Sequence, residues 1–179
     1  MQSNRALGSL LLLALTSCVT GEYREGHFEK SFQVSGKVVL DVDSAAGNIT
    51  VHTGGAQTVQ ISARIRARGS FVGISAGTKV ERIQANPPIR EDGNVIRITK
   101  IEDPSIAKSV FIDYDLTVPA QTQLTSRTGA GSQTLTGLQS SVEATTGAGR
   151  ITAEELGGDA RLHTGAGNVD VRSTLGSLV

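Results

Sequence analysis

The feature of this sequence that most restricts its fold is a short motif that recurs at a fixed interval. The segment Thr-Gly-Ala-Gly occupies positions 128–131, 146–149 and 164–167, a spacing of eighteen residues. Each copy lies between two stretches in which apolar and polar residues alternate, the pattern of β-strands that end in glycine turns. An earlier segment, residues 46–51 (Ala-Gly-Asn-Ile-Thr-Val), matches residues 166–171 (Ala-Gly-Asn-Val-Asp-Val). The sequence therefore predicts a β-repeat architecture.

One eighteen-residue unit is too small to fold alone. About four or five inward apolar side chains contribute roughly 1.5–3 kcal/mol each when buried, whereas ordering the backbone costs about 1–2 kcal/mol per residue. Stacked units share a core and pair their strands, so an array can be stable where one unit is not. We therefore predict an all-β fold, either a β-solenoid or a stacked β-hairpin array with repeats of about 18 residues.

A stacked array has a defined register. Gly129, Gly147 and Gly165 should lie side by side along one edge, because each occupies the same position of its unit. Two interior rows should form at the equivalent apolar positions, with charged positions such as Glu143 and Arg161 pointing outward. The first row is Leu124, Val142 and Ala160, and the second is Leu135, Ala153 and Val171.

The chain before the repeats is also rich in strand patterns. Alternation predicts strands over residues 26–34, 37–43, 48–53, 57–67, 94–101 and 109–118. At most one short helix is expected, over residues 77–86, where Val80 and Ile83 share a face and Pro87-Pro88 ends the helix. Residues 176–179 have the pattern of a further repeat, so we expect a single β-repeat domain over residues 28–179 that is truncated at its C-terminal end.

The N-terminal residues have the composition of an export signal. Arg5 is the only charged residue before an apolar run at residues 6–15, and a lightly basic start with a short apolar core is what the secretion machinery recognises. A membrane-spanning helix needs about 20 apolar residues, so this run is too short for a stable span. Leu15-Thr16-Ser17-Cys18 resembles the lipobox of bacterial lipoproteins, in which cleavage precedes a cysteine that carries a diacylglyceryl group.

The lipobox resemblance implies a division of the chain and a location. Residues 1–17 would be the signal peptide, and residues 18–27 would be the acylated Cys18 followed by a tether. Cys18 is the only cysteine in the sequence and is the predicted lipidation site, since several acyl chains hold a protein firmly at a membrane. We expect an exported protein anchored to the cell envelope, at the outer membrane facing the periplasm or at the cell surface.

Charge and aromatic content argue against some partners. The chain has 17 basic and 17 acidic residues, so no basic excess points to nucleic acid or to anionic lipid. No aromatic residue follows Pro119, although surfaces that bind sugars or single-stranded nucleic acid normally stack aromatic rings on the ligand. We expect no nucleic-acid partner, and envelope proteins or surface glycans as the candidates beside the membrane.

Several glycine motifs with known chemistry occur in incomplete form. Residues 73–77 fit Gly-x-Ser-x-Gly, the nucleophile elbow of α/β-hydrolases, and a histidine, His163, occurs later in the chain. The sequence lacks the alternation of strand and helix patterns that the α/β-hydrolase fold requires. The Gly-x-Gly pairs lack the third glycine of a dinucleotide loop and the Gly-Lys-Ser/Thr of a P-loop. Calcium-binding nonapeptides need an aspartate where this chain has Gln133, Ile151 and Val169. We predict turns at these glycines, with no cofactor, no metal site and no catalytic residue.

Charged residues alternate along three predicted strands. We interpret them as solvated sheet faces with cross-strand charge pairs, the alternative being a basic stripe that binds phosphate or carboxylate. His27, His52 and His163 show no ligand spacing, so scattered surface positions are expected. The alternating groups are Arg64, Arg66 and Arg68; Asp41 and Asp43; and Asp113 and Asp115.

Two segments resemble a known family. Tyr114-Asp115-Leu116-Thr117-Val118-Pro119, followed by the Thr-Gly-Ala-Gly repeats, is similar to the DUF4097 putative-adhesin family of the toastrack β-repeat group, and residues 80–95 fit the same pattern. The resemblance covers residues 35–179. It implies a secreted or envelope-attached domain with a role in adhesion or envelope-stress sensing, and it offers no catalytic residues.

These observations predict a non-catalytic structural or interaction module rather than an enzyme. Two alternatives stay open, namely a β-helix enzyme that acts on envelope polysaccharide and a sugar-binding module. Such an enzyme needs a pair of carboxylates across a groove. Asp113 and Asp115 are the candidate pair, although neighbouring outward residues of one strand are poorly placed to flank a bond.

Overall fold

The computed structural model describes residues 22–69, 73–174 and 177–179. Two helices are present in these ranges, α1 (Ala76–Ala85) and α2 (Pro104–Ala107). The strands in chain order are β1 (Tyr23–Gln33), β2 (Val38–Ala46), β3 (Ile49–Thr53), β4 (Thr58–Arg68), β5 (Ile89–Asp92), β6 (Val95–Ile98), β7 (Val110–Val118), β8 (Thr122–Ala130), β9 (Gln133–Thr136), β10 (Val142–Ala148), β11 (Ile151–Leu156), β12 (Ala160–Ala166) and β13 (Val169–Thr174).

The strands form two sheets around one core. Sheet A has the order β1-β4-β7-β3-β9-β11-β13, and sheet B has the order β12-β10-β8-β2-β6-β5. Every second residue of a strand is buried, as Val38, Leu40 and Val42 of β2 are, because successive side chains point to opposite faces of a sheet. The fold is mostly β, as the sequence predicts, and its described strands do not close into a barrel.

Consecutive strands of the repeat region form two-strand layers. The pairs β8/β9, β10/β11 and β12/β13 each place their first strand in sheet B and their second in sheet A, parallel to the neighbouring layer. Val142 pairs with Leu124 and with Ala160, each eighteen residues away. Ala153 pairs in the same way with its two equivalents. The predicted register is confirmed, and Val142 is buried.

The layers do not follow one another in chain order. The layer β2/β3 lies between β6/β7 on one side and β8/β9 on the other. A simple β-solenoid would stack its layers as the chain runs, and the observed order differs from that. This order of layers arises because the chain runs from β3 through β4, α1 and β5 and then places β6 and β7 on the side of β2/β3 opposite the repeats. Antiparallel strands β4 and β1 extend sheet A beyond β7, and β5 extends sheet B beyond β6.

The glycines of the motif lie where neighbouring layers touch. Gly149 has a φ of +149°, a conformation that glycine adopts readily and other residues rarely do. A Cβ at Gly149 would lie 2.2 Å from the carbonyl oxygen of Gly131, and one at Gly147 would lie 2.5 Å from that of Gly129. Since paired strands are only about 4.8 Å apart, a side chain at either position would meet the backbone of the next layer. The motif glycines are therefore structural.

The threonine of the motif binds the same glycine carbonyls. The hydroxyl of Thr146 donates to the carbonyl oxygen of Gly131 at 2.9 Å, and the hydroxyl of Thr164 donates to that of Gly149 at 2.9 Å. Thr146 is fully buried, and a hydroxyl in the core needs a partner. The whole Thr-Gly-Ala-Gly motif thus serves contact between layers.

Helix α1 packs on β1 and β4 and carries a buried lysine. Val80 and Ile83 face the core, as predicted. Lys79 is 1% exposed, and its ammonium group donates to the carbonyl oxygens of Arg68 at 3.1 Å and Lys108 at 2.5 Å. Lys79 therefore joins the end of β4 to the segment that precedes β7.

Three elements differ from the sequence predictions. Strand β1 begins at Tyr23, so residues 23–27 belong to the sheet and not to the tether, because β4 pairs with them along their whole length. Helix α2 is a second helical turn where at most one helix was expected, and Asp103 caps it by accepting from the backbone N–H of Ser105 at 2.9 Å. Strand β5 was not predicted, since Ile89 is its only apolar residue.

The two ends of the chain bear on the domain boundaries. The signal peptide predicted at residues 1–17 and the lipidation site predicted at Cys18 lie outside the described residues. At the other end, Leu178 pairs in parallel with Ala160, again eighteen residues away. The backbone N–H of Ala160 donates to Ser177 O at 2.8 Å. Residues 177–179 therefore keep the register of the preceding layers.

Candidate functional site on the outer face of sheet A

The outward side chains of sheet A form two adjacent polar rows, which we call the polar face. Each strand alternates inward apolar and outward polar residues, and neighbouring strands pair in register, so one outward residue from each strand aligns across the sheet. The first row is Ser62, Asp115, Thr50, Thr134, Thr152 and Asp170, and the second is Gln60, Thr117, His52, Thr136, Glu154 and Arg172.

His52 joins the two rows. Its Nε2 lies 2.7 Å from Oγ1 of Thr117, and its Nδ1 lies 3.3 Å from Oδ1 of Asp115. Both partners are on β7, which pairs with the strand of His52. Together with Glu29 and Ser31 of β1, the three side chains line a shallow depression. No residue spacing in the sequence indicates this cluster, because its members meet only when β3 pairs with β7.

The cluster has the order of a hydrolase triad but lacks other parts of one. Thr117, His52 and Asp115 follow the sequence of nucleophile, base and acid, yet acyl transfer also needs N–H donors aimed at the developing oxyanion. The backbone N–H groups beside the cluster are used in strand pairing, as in Gly54 N donating to Val118 O at 2.9 Å. The Asp115 side chain is 62% exposed, so water screens the interaction of its carboxylate with His52. The arrangement provides hydrogen-bonding groups on an open surface.

Charged side chains of sheet A occur in cross-strand pairs. Across paired strands, Arg66 lies 2.8 Å from Asp113 and Arg64 lies 2.7 Å from Glu25. Arg150, in the turn just before β11, lies 3.0 Å from Asp170 of β13. Exposed pairs of this kind contribute about 0–1 kcal/mol each. They set the charge pattern of the surface and add little to the stability of the fold.

Sheet B carries similar pairs on its outer face. Arg127 lies 3.0 Å from Glu143 and 3.8 Å from Asp41, and Lys100 lies 3.0 Å from Asp43. The predicted cross-strand charge pairs are thus present on both sheets. His163 lies on β12, away from the polar face, and is exposed.

The remaining motifs have structural positions. Ser75 of the Gly-x-Ser-x-Gly segment is the N-cap of α1, where its hydroxyl accepts from Thr78 N at 3.1 Å. Within the described ranges, His, Cys, Asp and Glu side chains nowhere gather in threes as a metal site would require. The helices found there are too short or too polar to cross a membrane. Burial raises the pKa of Tyr114, whose ring meets that of Phe28 edge-on at 6.4 Å.

Comparison with solved structures supports the fold. A putative cell adhesion protein from Clostridium sporogenes ATCC 15579 aligns with 87% of this chain and 98% of its own, at a TM-score of 0.52 and 9% identity. A putative adhesin (BF0245) from Bacteroides fragilis NCTC 9343 aligns with 86% of this chain and 96% of its own, with a TM-score of 0.32 and 10% identity. No family model matches the sequence, and no curated protein matches it. The first likeness shows a shared fold.

Proposed function

We propose that this protein is a non-catalytic interaction module of the bacterial cell envelope, adhesin-like in its fold and held at a membrane by a lipid on Cys18. The lipobox resemblance supports the anchor. The likeness to a putative cell adhesion protein supports the adhesin-like role. The stacked layers, read as a short β-solenoid with one layer out of chain order, supply a rigid surface for it.

The observation that carries the proposal is the polar face. Its rows run across adjacent strands of sheet A, each about 4.8 Å from the next. Thr50, Thr134 and Thr152 lie on three neighbouring strands in register and present hydroxyl groups at that repeat. A flat surface of hydroxyl, amide and carboxylate groups suits an extended polar partner, such as an envelope protein or a surface glycan, better than an enclosed small molecule.

Matched threonine substitutions test whether the polar face binds. Beads coated with the full-length protein would be incubated with purified peptidoglycan sacculi and with outer-membrane fragments. Thr134→Arg, at the centre of the polar face, should reduce adherence several-fold. Thr125→Arg, on the outer face of sheet B between Asp41 and Glu143, should not. Equal adherence of the two variants would contradict the assignment of the polar face as the binding surface.

The anchor is tested by fractionation of cells that express the full chain. Cys18→Ser should release the protein from the membrane fraction or leave the precursor uncleaved, because the thiol that carries the lipid is gone. Cys18 is the only cysteine of the chain, so the substitution removes no other thiol. Normal processing and normal membrane partition of the variant would contradict the lipid anchor.

The cluster at His52 favours a second candidate, a hydrolase acting on envelope material. That function would require turnover of peptidoglycan or polysaccharide, or of a simple activated ester, that is abolished by Thr117→Val and by His52→Gln. Thr136→Val provides the matched control, because Thr136 lies beside His52 on β9. Measurable turnover with this dependence would replace the non-catalytic proposal.

A further inference from the structure

Two large apolar rings are exposed close together at one corner of sheet A. Tyr23 is 49% exposed and Phe111 is 44% exposed. They lie on the two strands that flank β4, where Tyr23 pairs with Arg68 and Phe111 pairs with Arg66. We call these four residues the corner patch. The guanidinium carbon of Arg66 lies 5.8 Å from the centre of the Phe111 ring, within the range of a cation–π contact.

The corner patch carries local positive charge although the chain as a whole is neutral. Strand β4 presents arginine at positions 64, 66 and 68, of which the first two contact carboxylates. For Arg68, the described part of the chain supplies no carboxylate within salt-bridge distance. Glu25 accepts hydrogen bonds from Tyr23 and Arg64, and these bonds lower the pKa of Glu25. Glu25, on the strand that pairs with β4, is therefore already hydrogen-bonded to other side chains.

The position of the corner patch in the chain places it near the proposed anchor. Tyr23 follows Cys18 by five residues, and five residues of fully extended chain span at most about 18 Å. If Cys18 is acylated, the start of β1 cannot lie farther than that from the lipid headgroups. Tyr23 begins the edge strand of sheet A, so the corner at its start is within reach of the membrane surface.

We propose that the corner patch lies against the surface of a bilayer that contains anionic phospholipid. The inference rests on the proposed lipid anchor. Tyrosine favours the headgroup region, phenylalanine occurs on surfaces that lie in the membrane interface, and arginine is attracted to an anionic membrane surface. Such contacts are weak alone, but a lipid tether raises their effective concentration to the millimolar range. Composition argues against anionic lipid because it averages over the chain, whereas at the corner patch Arg68 has no carboxylate partner among the described residues, and Arg64 and Arg66 are paired.

This orientation would also position the polar face. Strands β9, β11 and β13 lie toward one edge of sheet A, and β1 and β4 lie at the other edge. Because the corner patch and the polar face share the outer face of sheet A, the rows that contain Thr134 and Thr152 stay accessible to partners when the sheet meets the bilayer at its β1 edge.

The chain contains no tryptophan, so single tryptophans can report on membrane contact. Phe111→Trp and Tyr23→Trp place reporters in the corner patch, and Val39→Trp places a control on the outer face of sheet B, where Val39 is 37% exposed. Each lipidated full-length variant would be reconstituted into vesicles of phosphatidylethanolamine and phosphatidylglycerol, with or without brominated phosphatidylcholine as a quencher. Flotation reports attachment, and tryptophan emission reports the position of each reporter.

Both corner reporters should show blue-shifted emission and loss of fluorescence to the brominated lipid, and the Val39 reporter should show neither. Arg68→Glu should weaken quenching of the Phe111 reporter, whereas Arg161→Glu on sheet B should not. Because Tyr23 lies on an edge strand, its reporter keeps the test valid should the Phe111 variant fold poorly. Flotation without quenching at the corner would overturn the orientation while leaving the anchor intact. Failure to float would overturn the anchor, and the orientation with it.

Discussion

Replacing Gly149 by alanine tests why glycine recurs in each layer of the repeat region. At an unconstrained strand position this change is favourable by about 0.5–1 kcal/mol. At Gly149 the added Cβ would lie 2.2 Å from the carbonyl oxygen of Gly131, and the residue would keep a φ of +149°. Overpacking costs about 1–3 kcal/mol, and an unfavourable backbone conformation costs about 1–3 kcal/mol more. The free energy of unfolding should therefore fall by about 2–5 kcal/mol, a large part of the roughly 5–15 kcal/mol typical of a domain.

Urea unfolding followed by circular dichroism measures this loss. With a slope of about 2 kcal/mol per molar urea, the middle of the usual range, the midpoint should fall by about 1–2.5 M. Gly55→Ala is the matched control, because a Cβ at Gly55 has no atom within 4 Å, and its effect should stay within about 0.5 kcal/mol. A Gly149→Ala protein as stable as the Gly55→Ala protein would refute the explanation from contact between layers.

Two further predictions concern the core and its charges. Val142→Asp places an unpaired carboxylate between the neighbouring layers, where Val142 is 3% exposed, and should reduce the free energy of unfolding by about 3–5 kcal/mol. Glu143→Lys, one residue away and partly exposed, should reduce it by no more than about 1 kcal/mol. Similar losses in the two variants would contradict the faces assigned to these residues. Lys79→Met leaves two backbone carbonyls without their donor and should reduce the free energy of unfolding by about 1–3 kcal/mol. Lys37→Met, at an exposed position, should leave that free energy unchanged. A Lys79→Met protein that unfolds at a higher temperature than the original protein would show that the buried ammonium group is not needed for stability.

The repeat register could be predicted from sequence because it depends on local information. The interval between the glycine motifs fixes which residues are neighbours, and alternation fixes which side chains are inward, so the row through Val142 followed directly. Residues 46–51 match residues 166–171 in sequence, and the structure pairs β3 with β9 of the repeat region. The helical face formed by Val80 and Ile83 is a similar local signal.

The order of the layers could not be predicted, because it depends on contacts between residues far apart in the chain. No feature of the β6 or β7 sequences indicates that these strands pack on the side of β2/β3 opposite the repeats. The contact between His52 and Thr117 joins residues 65 positions apart and appears only through that order. The same limit applies to residues 23–27, whose polar sequence becomes a strand because β4 offers an edge to pair with.

The most direct test of the account is whether residues eighteen apart lie side by side on the polar face. In a Cys18→Ser background, which removes the only native cysteine, nitroxide labels would be attached to Thr134→Cys and Thr152→Cys, and in a second protein to Thr134→Cys and Thr125→Cys. The first pair lies on adjacent strands about 4.8 Å apart, and the second lies on opposite outer faces of two sheets that are themselves about 10 Å apart. The stacked register predicts a strongly broadened electron paramagnetic resonance spectrum for the 134/152 pair and a simple sum of the single-label spectra for the 134/125 pair. A 134/152 spectrum equal to the sum of its single-label spectra would contradict the stacked register on which the polar face depends.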